Sequence, residues 1–182
     1  MEPYDALVQH TPDLYTLDAD WQKTSFRRRM TVIRLNSGDL VIHSAVQLKD
    51  QDYAKLDRLG RVTHILVPNA FHGSDAPFYK ERYPAAKLLV SNPAARGLAK
   101  RCAVDGLLPE AWPAGHPELE CLEYQGTRLL AETVFFHRPS RTLIATDLVF
   151  NMQIEPVGFE KTFFKWNRVY KRFGPSRLCR YV

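Results

Sequence analysis

Six of the 182 residues are histidine, the side chain best suited to move protons or hold a transition metal near neutral pH. His43, His64 and His137 fall inside apolar runs, where an imidazole is ordinarily satisfied in the core or on a strand face, and His137 also adjoins a turn. His116 stands between Gly115 and Pro117 in a proline-rich stretch and is expected to be exposed. His72 is placed differently, beyond the apolar run Val62–Val67 and its Pro68-Asn69 stop, where a strand hands over to a helix. Asn69 is either a weak ligand or donor to a substrate, or a turn residue bonding its own backbone. Asp75, just ahead of Pro77, is either a displaced ligand or, as expected, the cap of that helix.

Other catalytic schemes find no support. There is no glycine-rich phosphate loop, no G-x-S-x-G elbow and no paired cysteine–histidine signature. Cys102, Cys121 and Cys179 are odd in number and form no C-x-x-C pair, so reduced, packing cysteines are expected. Arg27-Arg28-Arg29 beside a hairpin has the charge for a phosphate, but specific nucleic-acid binding is not expected without a recognised binding fold. The net charge of +5 is uneven: Lys161 to Arg180 holds seven basic residues and no acid, which suits a solvated helix face or an anionic partner. The first thirty residues carry no apolar run, so neither a secretory signal nor a transmembrane segment is expected, and a cytoplasmic location follows as the expectation.

Periodicity supplies the elements that must position these side chains, and the length suits one domain over 1–182. Met30–Leu35 and Leu40–Ala45 read as a β-hairpin about Asn36-Ser37-Gly38-Asp39. Asp50 is expected to cap a helix through Leu59, with Gly60 in the left-handed position behind it. Val62–Val67 suits a strand buried on both faces. Ser74 or Asp75 then caps a helix to about Tyr83, Lys87–Val90 forms a strand, and Asn92-Pro93 opens a helix to about Cys102. Prolines and a glycine make 107–117 irregular. Leu119–Tyr124, Arg128–Arg138 and Arg141–Thr146 follow as antiparallel strands, the last two joined at Pro139-Ser140. A final helix is expected from Phe159 to Phe173, stopped by Gly174-Pro175. Its stripe of Phe159, Phe163, Trp166, Tyr170 and Phe173 is expected to dock on the sheet, with Lys161, Lys165, Arg168 and Arg172 opposite. Phe164, among the basic residues, hints at a membrane surface or partner, so peripheral membrane contact through 159–173 is a further expectation.

Three stretches carry a resemblance: Met30-Thr-Val-Ile-Arg-Leu with Gly38-Asp-Leu-Val-Ile-His; His64-Ile-Leu-Val-Pro-Asn-Ala-Phe-His72; and Thr133-Val-Phe-Phe-His-Arg-Pro-Ser-Arg-Thr-Leu-Ile-Ala-Thr-Asp147-Leu-Val-Phe. Together they resemble the metallo-β-lactamase superfamily over about residues 13 to 155, and more narrowly a domain-of-unknown-function branch with a degenerate metal motif. The resemblance implies an αββα sandwich. In the active members a His-x-His-x-Asp-His motif ends the second stretch, and its metal ions activate water. With His72 in the last position, Val67, Asn69 and Phe71 stand where two histidines and an aspartate belong. Asp147 matches the metal-bridging aspartate. The third histidine, before Thr133, is missing, with Glu132 the nearest polar side chain, and the final histidine would fall beyond Val182, so either the domain is shortened or the sequence is a piece of a longer one.

The resemblance therefore implies one ion at most, zinc or another divalent metal, held by His72 and Asp147, or none. The same two residues suit an acid–base couple, with Asn69 as a substrate contact. Alternatively His72 bonds backbone at the strand end and Asp147 accepts from loop amides. Two functions follow as expectations: a hydrolase-like enzyme with a reduced single-metal site acting on a small-molecule substrate, or a non-catalytic scaffold that binds a ligand or partner and uses the basic aromatic C-terminal helix as its attachment surface.

Overall fold

A computed structural model describes residues 3–21, 24–124, 131–153, 155–156, 158–175 and 177. The expected hairpin is present as β3 (Arg27–Arg34) and β4 (Leu40–His43), paired antiparallel from Thr31↔His43 to Arg34↔Leu40. It lies in the middle of a seven-stranded sheet. On one side stand β1 (Val8–Thr11) and β2 (Leu14–Asp20), and on the other β5 (Val62–Val67), β6 (Lys87–Val90) and β7 (Gly106–Leu107). The spatial order is β1 to β7 without a crossover, antiparallel to β4 and parallel from there on. The parallel strands are joined by α1 (Asp50–Leu59), α2 (Ala76–Arg82) and α3 (Asn92–Leu98). A second sheet holds β8 (Leu119–Glu123), β9 (Thr133–His137) and β10 (Thr142–Ile144) in the order β10-β9-β8.

The period-2 alternation of strands sorts the core into two layers. Leu40, Ile42, Ile65, Val67, Leu88 and Val90 pack on the helix side with Tyr53, Leu56, Tyr79 and Leu98. Their neighbours Val41, Leu66 and Leu89 point the other way, onto Leu119, Phe135 and Ile144 of the small sheet. Tyr79, fully buried on α2, donates its hydroxyl to the Val46 carbonyl at 2.9 Å. Tyr79→Phe removes that bond and leaves a buried acceptor unmatched; the expected loss is about 1 kcal/mol, read as a drop of about 2–4 °C in Tm, and an unchanged Tm would contradict it.

Several expectations need correction. Asp50 opens α1 but Lys49 is its N-cap, and no side chain caps it. Gly60 has φ 158° and ψ 179°, nearly extended rather than left-handed helical. What demands glycine there is crowding, because a Cβ would stand 2.2 Å from the Gly38 carbonyl oxygen. The N-terminal hairpin β1–β2 was not expected at all, and Leu107, the first residue of the expected irregular stretch 107–117, is the last of β7. β9 begins at Thr133; the expected strand's residues 128–130 and Cys179 lie outside the described residues, while Cys102 and Cys121 are free thiols.

The C-terminal helix differs most. α4 spans Phe159–Trp166, not Phe159–Phe173, and residues further along leave helical geometry, with Arg168 at φ 58° and Lys171 at φ 47°. Phe173 instead begins β12 (Phe173–Gly174), paired with β11 (Phe150–Asn151). The buried residue of α4 is Phe164, fully enclosed, its ring edge-on to Phe26 at 4.7 Å between centroids. The expected docking stripe largely faces outward: Phe159 is 82 % exposed, Trp166 55 % and Phe173 78 %. Glu160 fixes this orientation by accepting from the Ser25 backbone N–H at 3.0 Å.

Candidate functional site

At the C-terminal edge of β4 and β5 the chain turns away from the sheet at Ser44 and Asn69, and β9 and β10 bring Glu132 and the 146–148 loop to the same place. Ser44 takes φ 56°, an uncommon conformation for a residue with a Cβ. Its backbone N–H donates to the Leu66 carbonyl, and its hydroxyl lies 2.7 Å from His72 Nδ1. The other ring nitrogen, Nε2, is 3.4 Å from Asp147 Oδ2. The two residues singled out in the sequence are thus together, with Ser44 steadying the imidazole from behind.

Asn69 is completely buried and bridges the site. Its Oδ1 accepts from the Phe71 and His72 backbone N–H groups at 2.8 and 3.2 Å, which is the turn role. Its Nδ2 reaches Asp147 Oδ2 at 2.8 Å, Thr146 Oγ1 at 3.0 Å and Glu132 Oε2 at 3.3 Å. Glu132, also fully buried, accepts from the Thr146 N–H on Oε1 at 2.6 Å and from the Asp147 and Leu148 N–H groups on Oε2 at 2.7 and 2.9 Å. Glu132 thus collects three consecutive amides of the 146–148 loop. A lone acid heading the apolar run Thr133–His137 was its sequence signal, since a buried carboxylate must be met by donors.

The site opens into a cleft of about 530 Å³ whose walls include Trp21, Phe26, Phe71 and Phe163, with Arg28 and Asn167 between them. His43 lines it as well. Only 1 % exposed, it stands edge-on to Phe135 at 5.6 Å, and neither ring nitrogen has a partner among the described residues. Burial, and then the neighbouring His72, push its pKa down to about 3, so the ring is neutral. Asn167 Oδ1 and Arg28 Nε are likewise buried without a partner among the described residues. These orphaned polar atoms carry no signature in the sequence, because only the fold brings them to one cavity.

The remaining sequence candidates lie elsewhere or act structurally. Asp75 sits at the N-cap of α2 yet makes no capping bond; its carboxylate pairs with Arg28 and accepts from the Gln47 N–H at 2.8 Å, tying helix to sheet. All three arginines of 27–29 are matched to acids: Arg27 to Asp5 and Asp20, Arg28 to Asp75, Arg29 to Asp18. His64 packs edge-on to Trp112 and His116, and burial lowers its pKa to about 4. His116, expected to be exposed, is half-buried in that aromatic cluster. His137 bonds Ser140 Oγ at 2.7 Å. Among the described residues no group of three or more His, Cys, Asp or Glu side chains is placed to hold a metal ion.

No protein-family model matches the sequence, and no curated protein matches it. Solved structures do. A metallo-β-lactamase from Pontibacter korlensis superposes with a TM-score of 0.64 at 10% identity, covering 96% of this chain and 94% of that one. The DIM-1 metallo-β-lactamase, in a structure of the protein exposed to ceftazidime, gives 0.62 at 11% identity, covering 85% and 75%. A metallo-β-lactamase from Hirschia baltica gives 0.58 at 11% identity, covering 78% and 70%. The chain has the fold of the metallo-β-lactamase superfamily, and identity this low establishes the fold alone.

Proposed function

We propose that this protein is a ligand-binding member of the metallo-β-lactamase fold, a scaffold in which Asn69, Glu132 and Asp147 form a hydrogen-bonded amide–carboxylate clamp. The observation that carries this reading is the crowding of donors on the carboxylates. Glu132 has both oxygens occupied by three backbone N–H groups and the Asn69 amide, and Asp147 Oδ2 receives the same amide. A cation would have to displace N–H groups from the lone pairs it needs, and Asn69 presents a donor where a ligand must present an acceptor. Among the described residues, His72 with Asp147 leaves two protein donors, fewer than the three or four of zinc sites. The donor set therefore does not fit the metal centre that the fold's enzymes are named for, and a reduced single-metal hydrolase is the weaker reading.

The cleft retains what binding requires: aromatic walls, the neutral imidazole of His43, and the His72–Asp147 pair at its inner end. A small organic molecule with both donor and acceptor groups suits these atoms. The pair also supports a second reading, proton transfer on the bound molecule, because an imidazole held between a hydroxyl and a carboxylate is an acid–base couple. The test is elemental metal content of protein purified without chelator, with His72→Ala and Asp147→Ala alongside. Substoichiometric metal, indifferent to both substitutions, and a Tm unmoved by chelator or added zinc are expected. One metal per chain, lost in both variants, overturns the reading.

A further inference from the structure

We propose that the outer face of α4, continued by Phe173, docks on an anionic lipid bilayer and turns the mouth of the cleft toward it. At about 100° per residue, Phe159, Phe163 and Trp166 share one side of α4 within roughly 60° of one another. Phe164, on another side, is locked against Phe26, and Glu160 is held by the Ser25 N–H, so the helix cannot roll its aromatic side inward without losing both anchors. Phe159, Trp166 and Phe173 are left among the most exposed large apolar side chains of the protein. Phe163, on the same side, lines the cleft, and Phe71 on the cleft wall is itself 56 % exposed. The exposed aromatic face and the entrance to the cleft are thus adjacent.

Charge identifies the occupant. Residues 158–177 contain Lys161, Lys165, Arg168, Lys171, Arg172 and Arg177 against the single acid Glu160. Glu155 pairs with Lys161 and Lys171, but Lys165, Arg168 and Arg172 have no acidic partner among the described residues. Exposed aromatic rings on one side of α4, with Lys165 on its polar side and Arg168 and Arg172 just beyond its end, match the interface of an anionic bilayer, where rings sit at headgroup depth and lysine and arginine reach phosphate and carboxylate. A second copy of this face would bring the same cations against each other. No described helix is long and apolar enough to cross the membrane, so the contact is peripheral. It does not depend on how the cleft holds its ligand.

The experiment is flotation of the full chain with phosphatidylcholine vesicles and with phosphatidylcholine–phosphatidylserine vesicles, at low and raised salt. Binding to the anionic vesicles only, weakened by salt, is expected. Phe159→Ser with Trp166→Ser, and separately Lys165→Glu with Arg168→Glu, should each lower vesicle partitioning at least about tenfold. All four side chains are exposed, so an unchanged Tm confirms that the variants are folded. Three results would overturn the proposal: no binding to anionic vesicles; binding that neither double variant weakens; or sedimentation showing self-association through this face, abolished by Phe159→Ser, without vesicle binding. Binding to an acidic polypeptide in place of vesicles would count against it equally. Metal content is untouched by these variants, so this test and that of the clamp fail separately.

Discussion

Glu132→Ala is expected to bring the protein to the edge of unfolding. The substitution takes the Glu132 acceptor from the N–H groups of Thr146, Asp147 and Leu148, while the Asn69 amide keeps Asp147 and Thr146, in a region with no exposed surface at Glu132. Each buried donor left unmatched costs about 1–3 kcal/mol, less where water enters, so a loss of about 4–6 kcal/mol is the expected sum. That compares with a total stability of about 5–15 kcal/mol for a domain. Glu132→Gln should cost less, about 3 kcal/mol, because one oxygen still accepts while the new NH₂ faces donors. Urea unfolding at neutral pH measures both. A Glu132→Ala variant within about 1 kcal/mol of the parent would mean that the 146–148 loop is held by something else, and the clamp would lose its keystone.

His43 should make the protein acid-sensitive through a defined window. Its folded pKa is lowered to about 3 by burial, whereas an imidazole in the unfolded chain titrates near 6.5. Above about pH 6.5 the ring is neutral in both states and costs nothing. As the pH falls below that value the unfolded chain takes up a proton that the folded one refuses, so stability drops until the folded ring itself titrates near pH 3. The full window is worth about 5 kcal/mol. His64, with its pKa near 4, adds to the same slope, and His72 is the ionisable neighbour that faces His43. The comparison that isolates His43 is therefore the parent against His43→Gln, followed by urea midpoints from neutral pH downward. The variant should lose less stability on acidification; parallel curves would show that His43 finds a partner in solution.

Much of the large sheet was legible because its strands announce themselves. A run such as Val62–Val67, bounded by Gly60 and Pro68, leaves few alternatives to a strand buried on both faces. The resemblance on Asp147 and His72 also led to two side chains that do meet. What escaped was set by partners distant in sequence. The stripe from Phe159 to Phe173 satisfies helical periodicity over its whole length, but the chain leaves the helix after Trp166, and Phe26, far upstream, selects Phe164 as the buried face. Glu132 offered one acid at the head of an apolar strand, and its meaning depended on four donors from elsewhere. β1–β2 was hidden by its aspartates: Asp18 and Asp20 interrupt the apolar residues of β2, and each turns outward to an arginine of β3.

Strands β1 to β7 occupy the sheet in the order in which they are synthesised, each paired with one already made. The large sheet can therefore grow from its N-terminal edge as the chain emerges, without holding a place open for a later strand. The cleft has no such freedom. Asn69 must wait 63 residues for Glu132 and 78 for Asp147, and the aromatic wall from α4 arrives later still. A nascent chain stopped before residue 132 would own most of a core and only one part of the cleft's lining, from Trp21 to His72. In this protein the cleft is the last thing assembled.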